Sequence, residues 1–335
     1  MLETIRELCA IGGISGDEGA VSNYIQGKLA GVCQMETDKL GNLIVHKTGA
    51  KRPQKTIMLS AHMDEVGLII TGVQENGMLR FATVGGIDTP VLLARQVEIG
   101  AVRGVIGVKP IHMLSPEERK SHPKTEELSI DIGASSKEEA LKLVKIGQAA
   151  VFRRSFAQLG QFVSAPALDD RAGCALLMEL AKADLPYDVK LVFTVQEEIG
   201  GTGAEVAAFR LQPDISIVVE TTTAGDIFGT EESRRVCSIG KGPVVSFMDR
   251  GTIYDRQLLD IAAEVAVANN IPYQLKEGVY GGNESRRTQT AGAGAQVLAV
   301  SLPCRYLHSA ASTFCPDDFA PTVQLLRALI ERLGE

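Results

Sequence analysis

Tryptophan is absent from this 335-residue chain, and aromatic side chains of every kind amount to only 5%. That leaves thin material for the stacked platforms that hold sugars. Cationic residues are outnumbered, 34 Lys and Arg against 41 Asp and Glu, for a formal net charge of -7, and neither sign gathers into a long block. A basic stripe for nucleic acid is therefore missing, as is a polybasic membrane anchor. No apolar run reaches the roughly 18 residues of a spanning helix. Residues 1–10 mix acids with their apolar positions, unlike the basic-then-apolar start of a secretory signal. The six cysteines (Cys9, Cys33, Cys174, Cys237, Cys304 and Cys315) are scattered without a CxxC pair. They read as reduced, mostly buried thiols of a cytoplasmic protein, and Cys174 and Cys304 read as packing residues even though candidate site residues lie nearby.

What is present is a globular composition, 45% hydrophobic and 22% charged, on a chain longer than one compact domain usually needs. Helical patterns are expected at 2–10 and 17–30, then at 171–183, 256–269 and 318–333. Short apolar runs at 56–61, 189–195, 215–219 and 297–302 read as buried strands. Strands alternating with helices imply an α/β fold: a largely parallel sheet covered by helices on both faces, a three-layer arrangement. From about 67 to 160 the pattern changes to short β-rich pieces broken by Gly and Pro. One helix stands among them near 137–144, prefaced by Ser136 and Glu139 in capping-box spacing. The expected organisation is a catalytic domain of residues 1–66 and 161–335, with residues 67–160 inserted as a small β-rich domain.

Only five histidines are present, and two follow expected core strands: His62, with Asp64 two residues on, and His308. Glu197 and Glu198 follow the strand at 189–195, and Glu220 follows 215–219. Asp169 and Asp170 precede a helix. In an open α/β sheet the carboxyl ends of the strands border the ligand crevice, so these groups are expected along one edge. Taken singly, each has a plainer reading. A His-x-Asp pair can be a satisfied histidine, adjacent glutamates a solvated face, and Asp-Asp an N-cap. Those readings give no reason for a common placement, whereas a metal site does. Mixed imidazole and carboxylate ligands suit zinc, cobalt or manganese, and one carboxylate can bridge two ions that together activate water and polarise a carbonyl. Asp64 can reach His62 from behind, and the neighbouring Glu197 and Glu198 point apart, which suits one free base and one ligand.

At these residues the chain resembles the M42 metallopeptidases, the glutamyl-aminopeptidase group of the co-catalytic zinc peptidases. The resemblance runs from Gly13-Ile14-Ser15-Gly16 through AHMDEVG at 61–67, Pro110 with His112, ALDDRAG at 167–173 and VQEEIGGTGA at 195–204 to Arg305-Tyr306-Leu307-His308-Ser309. It implies an aminopeptidase that trims short peptides with two divalent ions per subunit, zinc first and cobalt or manganese as alternatives. Asp169 is then the bridge, His62 and Glu220 complete one ion, Glu198 and His308 complete the other, Glu197 is the general base and Asp64 orients His62. It also implies a homo-oligomer, a hollow tetrahedral dodecamer, in which the inserted domain helps assembly. The chain departs from the family pattern at Glu220, where many relatives have Asp, at Asn283-Glu284 in a Gly-Gly-Thr-Asp segment, and after His308. Arg286 and Arg287 beside the second departure point to an acidic substrate side chain. His112 matches a family position with no assigned role, and His46 and His122 read as surface residues. Two other readings remain at this stage: a glycoside hydrolase using paired carboxylates, and a non-catalytic assembly protein that keeps the shell.

Overall fold

The computed structural model describes residues 1–335. An 11-stranded sheet forms the larger body, and a closed barrel of six strands forms the smaller one. Four strands make the middle of the large sheet: β3 (Ile57–His62), β12 (Val189–Thr194), β13 (Ile215–Thr223) and β16 (Gln296–Arg305). They run parallel in the order β12-β3-β13-β16. Every residue of β3 is buried, as is nearly all of β13 and β16. That is what continuous apolar runs give when both faces of a parallel sheet are covered.

Alternate residues feed two cores. Leu59, Ala61, Leu191, Phe193, Ile217 and Val219 pack with the helices Leu2–Cys9, Gly19–Leu29, Leu168–Lys182, Arg256–Ala268 and Phe319–Gly334. Their neighbours Ile44, Met58 and Val192 pack instead with Ala207 and Ala208 of the helix Thr202–Leu211. Because strand side chains alternate between faces, the two clusters lie on opposite sides of the sheet.

The sheet is less parallel than the sequence suggests. β1 (Gln34–Thr37) and β2 (Leu43–Lys47) extend it antiparallel beyond β12. β17 (Ser312–Phe314), β11 (Phe162–Ala165) and β10 (Ala157–Leu159) do the same beyond β16. These pieces are three to five residues long, too short to announce themselves by periodicity. The remaining pair, β14 (Val244–Val245) and β15 (Gln274–Leu275), attaches to the side of β16.

The expected helices lie where the patterns put them, within two residues at each end, except at residues 168–170. There the assigned helix begins at Leu168, but Asp169 and Asp170 have non-helical backbone angles, so regular helix starts at Arg171. The β-rich pieces close into the barrel β4 (Gly67–Val73), β5 (Leu79–Val84), β8 (Ile130–Asp131), β7 (Val102–Ile106), β6 (Gln96–Ile99) and β9 (Ala149–Phe152) around a separate apolar core. Ser136 caps the helix Lys137–Leu143, accepting from the Glu139 amide at 3.3 Å. Glu139 itself reaches back one residue further than the capping box requires, accepting from the Ser135 amide at 2.8 Å. No helix is long and apolar enough to cross a membrane.

Candidate active site

Parallel pairing in register brings the carboxyl ends of the central strands level. His62, the last residue of β3, pairs with Thr194, the last of β12. Strand β13 runs on past Val219 to Thr223, in register with β16, so Glu220 sits inside a strand rather than after one. The β-branched threonines 221–223 sustain the pairing. Glu197 and Glu198 follow β12, and His308 follows β16 with its backbone in the left-handed region at φ +56°, a conformation that costs a non-glycine residue about 1–3 kcal/mol.

The paired acids divide their duties. Asp170 is fully buried; its Oδ1 accepts from the Gly173 amide at 3.0 Å, a helix cap. Its Oδ2 accepts from the His62 amide at 3.3 Å. A Cβ on Gly173 would come within 2.3 Å of that carboxylate, so a glycine is required there. Asp169, free of capping, turns into the site. Its Oδ1 lies 3.3 Å from His62 Nε2, and its Oδ2 lies 3.4 Å from His308 Nε2. Glu220 Oε1 is 3.5 Å from His62 Nε2, and Glu198 Oε2 is 3.5 Å from His308 Nε2. Two groups result, His62–Asp169–Glu220 and Asp169–Glu198–His308, each with its ligand atoms within 4.8 Å of one another.

These separations are too long for good N–H···O hydrogen bonds. They match the edge of a coordination tetrahedron: bonds of about 2.0–2.1 Å set neighbouring donors about 3.3–3.4 Å apart. Charge points the same way. The carboxylates of Asp64, Asp169, Asp170, Glu197, Glu198 and Glu220 crowd around two imidazoles, and Glu198 Oε1 is buried without a partner. An uncompensated buried carboxylate costs several kcal/mol. Burial, with the nearby Asp169 charge, raises Glu198 to about 7; burial raises Glu220 to about 8, opposed by His62. Burial also pushes Glu197 well above the carboxylate range, helped by Glu220 and Glu198. For His308 burial acts downward, but Asp169 and Glu198 outweigh it and lift the ring to about 10. Bound divalent cations would reverse this balance. The donor set therefore fits metal ions.

Asp64 is fully buried and has more partners than the sequence suggests. Its carboxylate stands 3.4 Å from His62 Nδ1, but the closer acceptor for that nitrogen is the Asp64 backbone carbonyl at 3.0 Å. The carboxylate accepts from the amides of Glu197 at 3.0 Å and Glu198 at 3.1 Å and from the Ser15 hydroxyl at 2.6 Å. It thus ties the two glutamates to the histidine loop.

Beside it, Glu65 anchors a buried ion network that sequence reading missed. Its carboxylate accepts from Arg154 at 2.5 and 2.9 Å, from Arg171 at 3.4 Å and from the Gly13 amide at 3.1 Å. Arg171, wholly buried, also donates to the carbonyls of Leu8 and Ile11 at 2.8 and 2.9 Å. Glu65 follows Asp64 and Arg171 follows Asp170, so the network joins the two loops that carry His62 and Asp169.

A cavity of about 780 Å³ opens over the cluster. Arg250, Lys276 and Arg286 line it. Arg287 does not; it turns away to Glu205 at 3.0 Å and the Gly200 carbonyl at 2.8 Å. His112 lies exposed in the one-turn helix Ile111–Met113, outside both groups, and His122 is exposed. His46 is half-buried between Glu36 and Lys190.

Comparison with known proteins decides the family. The model for the M42 glutamyl aminopeptidases matches residues 41–325. This chain belongs to that family. It is an aminopeptidase, a hydrolase of peptide bonds. A putative aminopeptidase of Acetivibrio thermocellus is 37% identical, covering 97% of each chain. The lysyl aminopeptidase of Pyrococcus furiosus is 31% identical over 99% of this chain and 97% of its own. Among solved structures, the TET1 peptidase of Pyrococcus horikoshii, described as able to assemble into a tetrahedron or a large octahedral shell, superimposes with a TM-score of 0.86. It is 36% identical, with 98% of both chains covered. A glutamyl family description and a lysyl relative show that the preferred side chain does not follow from membership.

Proposed function

We propose that this aminopeptidase removes N-terminal residues from short peptides at a pair of divalent cations that share Asp169. The observation that carries the reading is the split of that carboxylate, one oxygen 3.3 Å from His62 and the other 3.4 Å from His308. His62 and Glu220 would hold one cation, Glu198 and His308 the other. Zinc suits the donors first, and cobalt or manganese would also be accepted. When bound, such a pair supplies Lewis acidity at the scissile carbonyl and acidifies water. Glu197, beside both groups but a member of neither, takes the proton of the attacking water and delivers it to the leaving amine. Asp64 steadies Glu197 through its amide and His62 from behind.

The cations Arg250, Lys276 and Arg286 support an acidic N-terminal side chain as the preferred substrate. The opposed core clusters support a three-layer catalytic domain, 1–66 with 161–335, and the barrel supports an inserted domain within 67–160. The likeness to a shell-forming peptidase supports a homo-oligomer, read here as a tetrahedral dodecamer, and six unpaired thiols support a cytoplasmic location.

The test is hydrolysis of a panel of aminoacyl-anilides, with soluble cellulose in parallel, each with and without chelator. The reading expects anilide cleavage that a chelator abolishes and added zinc, cobalt or manganese restores. Chelator-resistant cleavage, or cleavage of cellulose alone, contradicts it.

A further inference from the structure

The two groups that share Asp169 are built differently. His62, Asp169 and Glu220 come wholly from the large-sheet body, and their side chains are 2%, 12% and 8% exposed. In the other group His308 is 39% exposed, and a turn of the barrel meets its ring. The turn after β5 reaches across the seam between the two bodies. The His308 ring places Nδ1 2.8 Å from the carbonyl of Gly86, 222 residues away in sequence. That bond fixes Nδ1 as the protonated nitrogen and leaves Nε2 facing Asp169 and Glu198. The preceding residue, Gly85, has φ +81°. A Cβ there would lie 2.8 Å from Cγ1 of the buried Val66 and 3.2 Å from Cβ of Glu198. Adjacent turn residues thus lie against both donors that belong to one group alone: Gly86 bonds the His308 ring, and at Gly85 a side chain would crowd Glu198.

We infer that the Gly85–Gly86 turn of the barrel is a positioning element for the second cation, the one assigned to Glu198 and His308. The inference rests on the two-cation reading. The turn supplies no ligand: Gly86 orients the imidazole, and Gly85 lets the chain approach close enough for that bond while leaving Glu198 its rotamer. The barrel therefore completes one half of the site and leaves the other alone. Loss of a hydrogen-bonding partner behind a metal-ligating histidine weakens metal binding by about 10–100-fold, and the Gly85 turn controls such a partner.

The test is a zinc titration of the full-length chain and of Gly85→Ala, reading stoichiometry and the two stepwise affinities after exhaustive chelation. Gly77→Ala serves as the control. Gly77 lies at the opposite end of β5, has φ +87°, and its Cβ would meet the Ala134 carbonyl at 2.4 Å, so it strains the barrel without touching the site. The expected result is two sites in the parent, two in Gly77→Ala, and a second affinity at least tenfold weaker in Gly85→Ala with the first within twofold. A parent chain that binds fewer than two ions defeats the two-cation reading itself. A parent with two sites and a Gly85→Ala variant that keeps both at full affinity overturns this inference alone. So does equal loss in Gly77→Ala, which would trace the effect to general barrel strain. Should Gly85→Ala not fold, Val66→Ala reads the same contact more gently. It thins the packing under the turn and is expected to weaken only the second affinity, by several-fold; an unchanged second affinity there also overturns the inference.

Discussion

Replacing Glu197 and Glu198 separately by glutamine separates proton transfer from metal holding. The two side chains are neighbours in sequence, and Asp64 accepts from both amides, so glutamine at either position keeps the local backbone anchored. Glu198 Oε2 lies 3.5 Å from His308 Nε2 within one candidate metal group, whereas Glu197 belongs to neither. Glu197→Gln removes a proton acceptor and no ligand. General-base catalysis contributes about 10²–10⁴-fold, so kcat should fall by that factor, equivalent to about 3–5 kcal/mol at the transition state. Metal content and melting temperature should stay at parental values. Glu198→Gln should lower activity and, in addition, release one of the two ions, because a neutral amide is a poorer donor for a divalent cation. The assay is steady-state cleavage of an aminoacyl-anilide at saturating zinc, with elemental analysis of the same dialysed samples. Full activity in Glu197→Gln, or loss of metal from it, would refute the division of roles.

The buried network predicts that Arg171→Met destabilises the metal-free chain by about 2–4 kcal/mol in denaturant titrations, since the carbonyls of Leu8 and Ile11 lose their donor while Glu65 keeps Arg154 and the Gly13 amide; a change below about 1 kcal/mol would contradict it. The cationic cavity wall predicts that Lys276→Met lowers kcat/KM for a glutamyl substrate about tenfold, about 1.4 kcal/mol, relative to a leucyl one. Equal losses on both substrates would show that Lys276 does not read side-chain charge. Without metal, Glu198 and Glu220 have folded pKa values of about 7 and 8 against an ordinary 4.5, so the fold binds their protons more tightly than the unfolded chain. Stability is then fully present below about 4.5 and is lost as pH climbs through 7 and 8. His308, raised from 6.5 to about 10, acts in the same direction at higher pH. The melting temperature of the metal-free protein should therefore fall between pH 5 and 8 and that of the zinc-loaded protein should not, which differential scanning fluorimetry across that range checks.

The common placement of the candidate site residues was legible because each strand-borne one closes or follows an apolar run, and parallel pairing brings such ends level. His62, Glu198 and His308 needed only that rule. Glu220 followed it less closely, since three threonines carry its strand onward. The closure of the insert into a barrel was not legible, because β8 is two residues long and carries no periodic signal. Nor was the Gly86 carbonyl, since a backbone acceptor has no residue signature and its partner lies far along the chain. Arg286 and Arg287 looked equivalent in sequence, yet neighbouring residues of a helical turn face about 100° apart, and only Arg286 lines the cavity. The two-residue spacing of Asp64 to His62 hides the longer-range amides, of Glu197 and Glu198, that it accepts from.

Zinc binding to Asp169→Asn by calorimetry tests most directly whether one carboxylate is shared by two cations. Both affinities should weaken together by an order of magnitude or more, whereas His62→Ala and His308→Ala should each weaken chiefly one. An Asp169→Asn protein that loses one ion and retains the other at parental affinity would contradict the shared-ligand account.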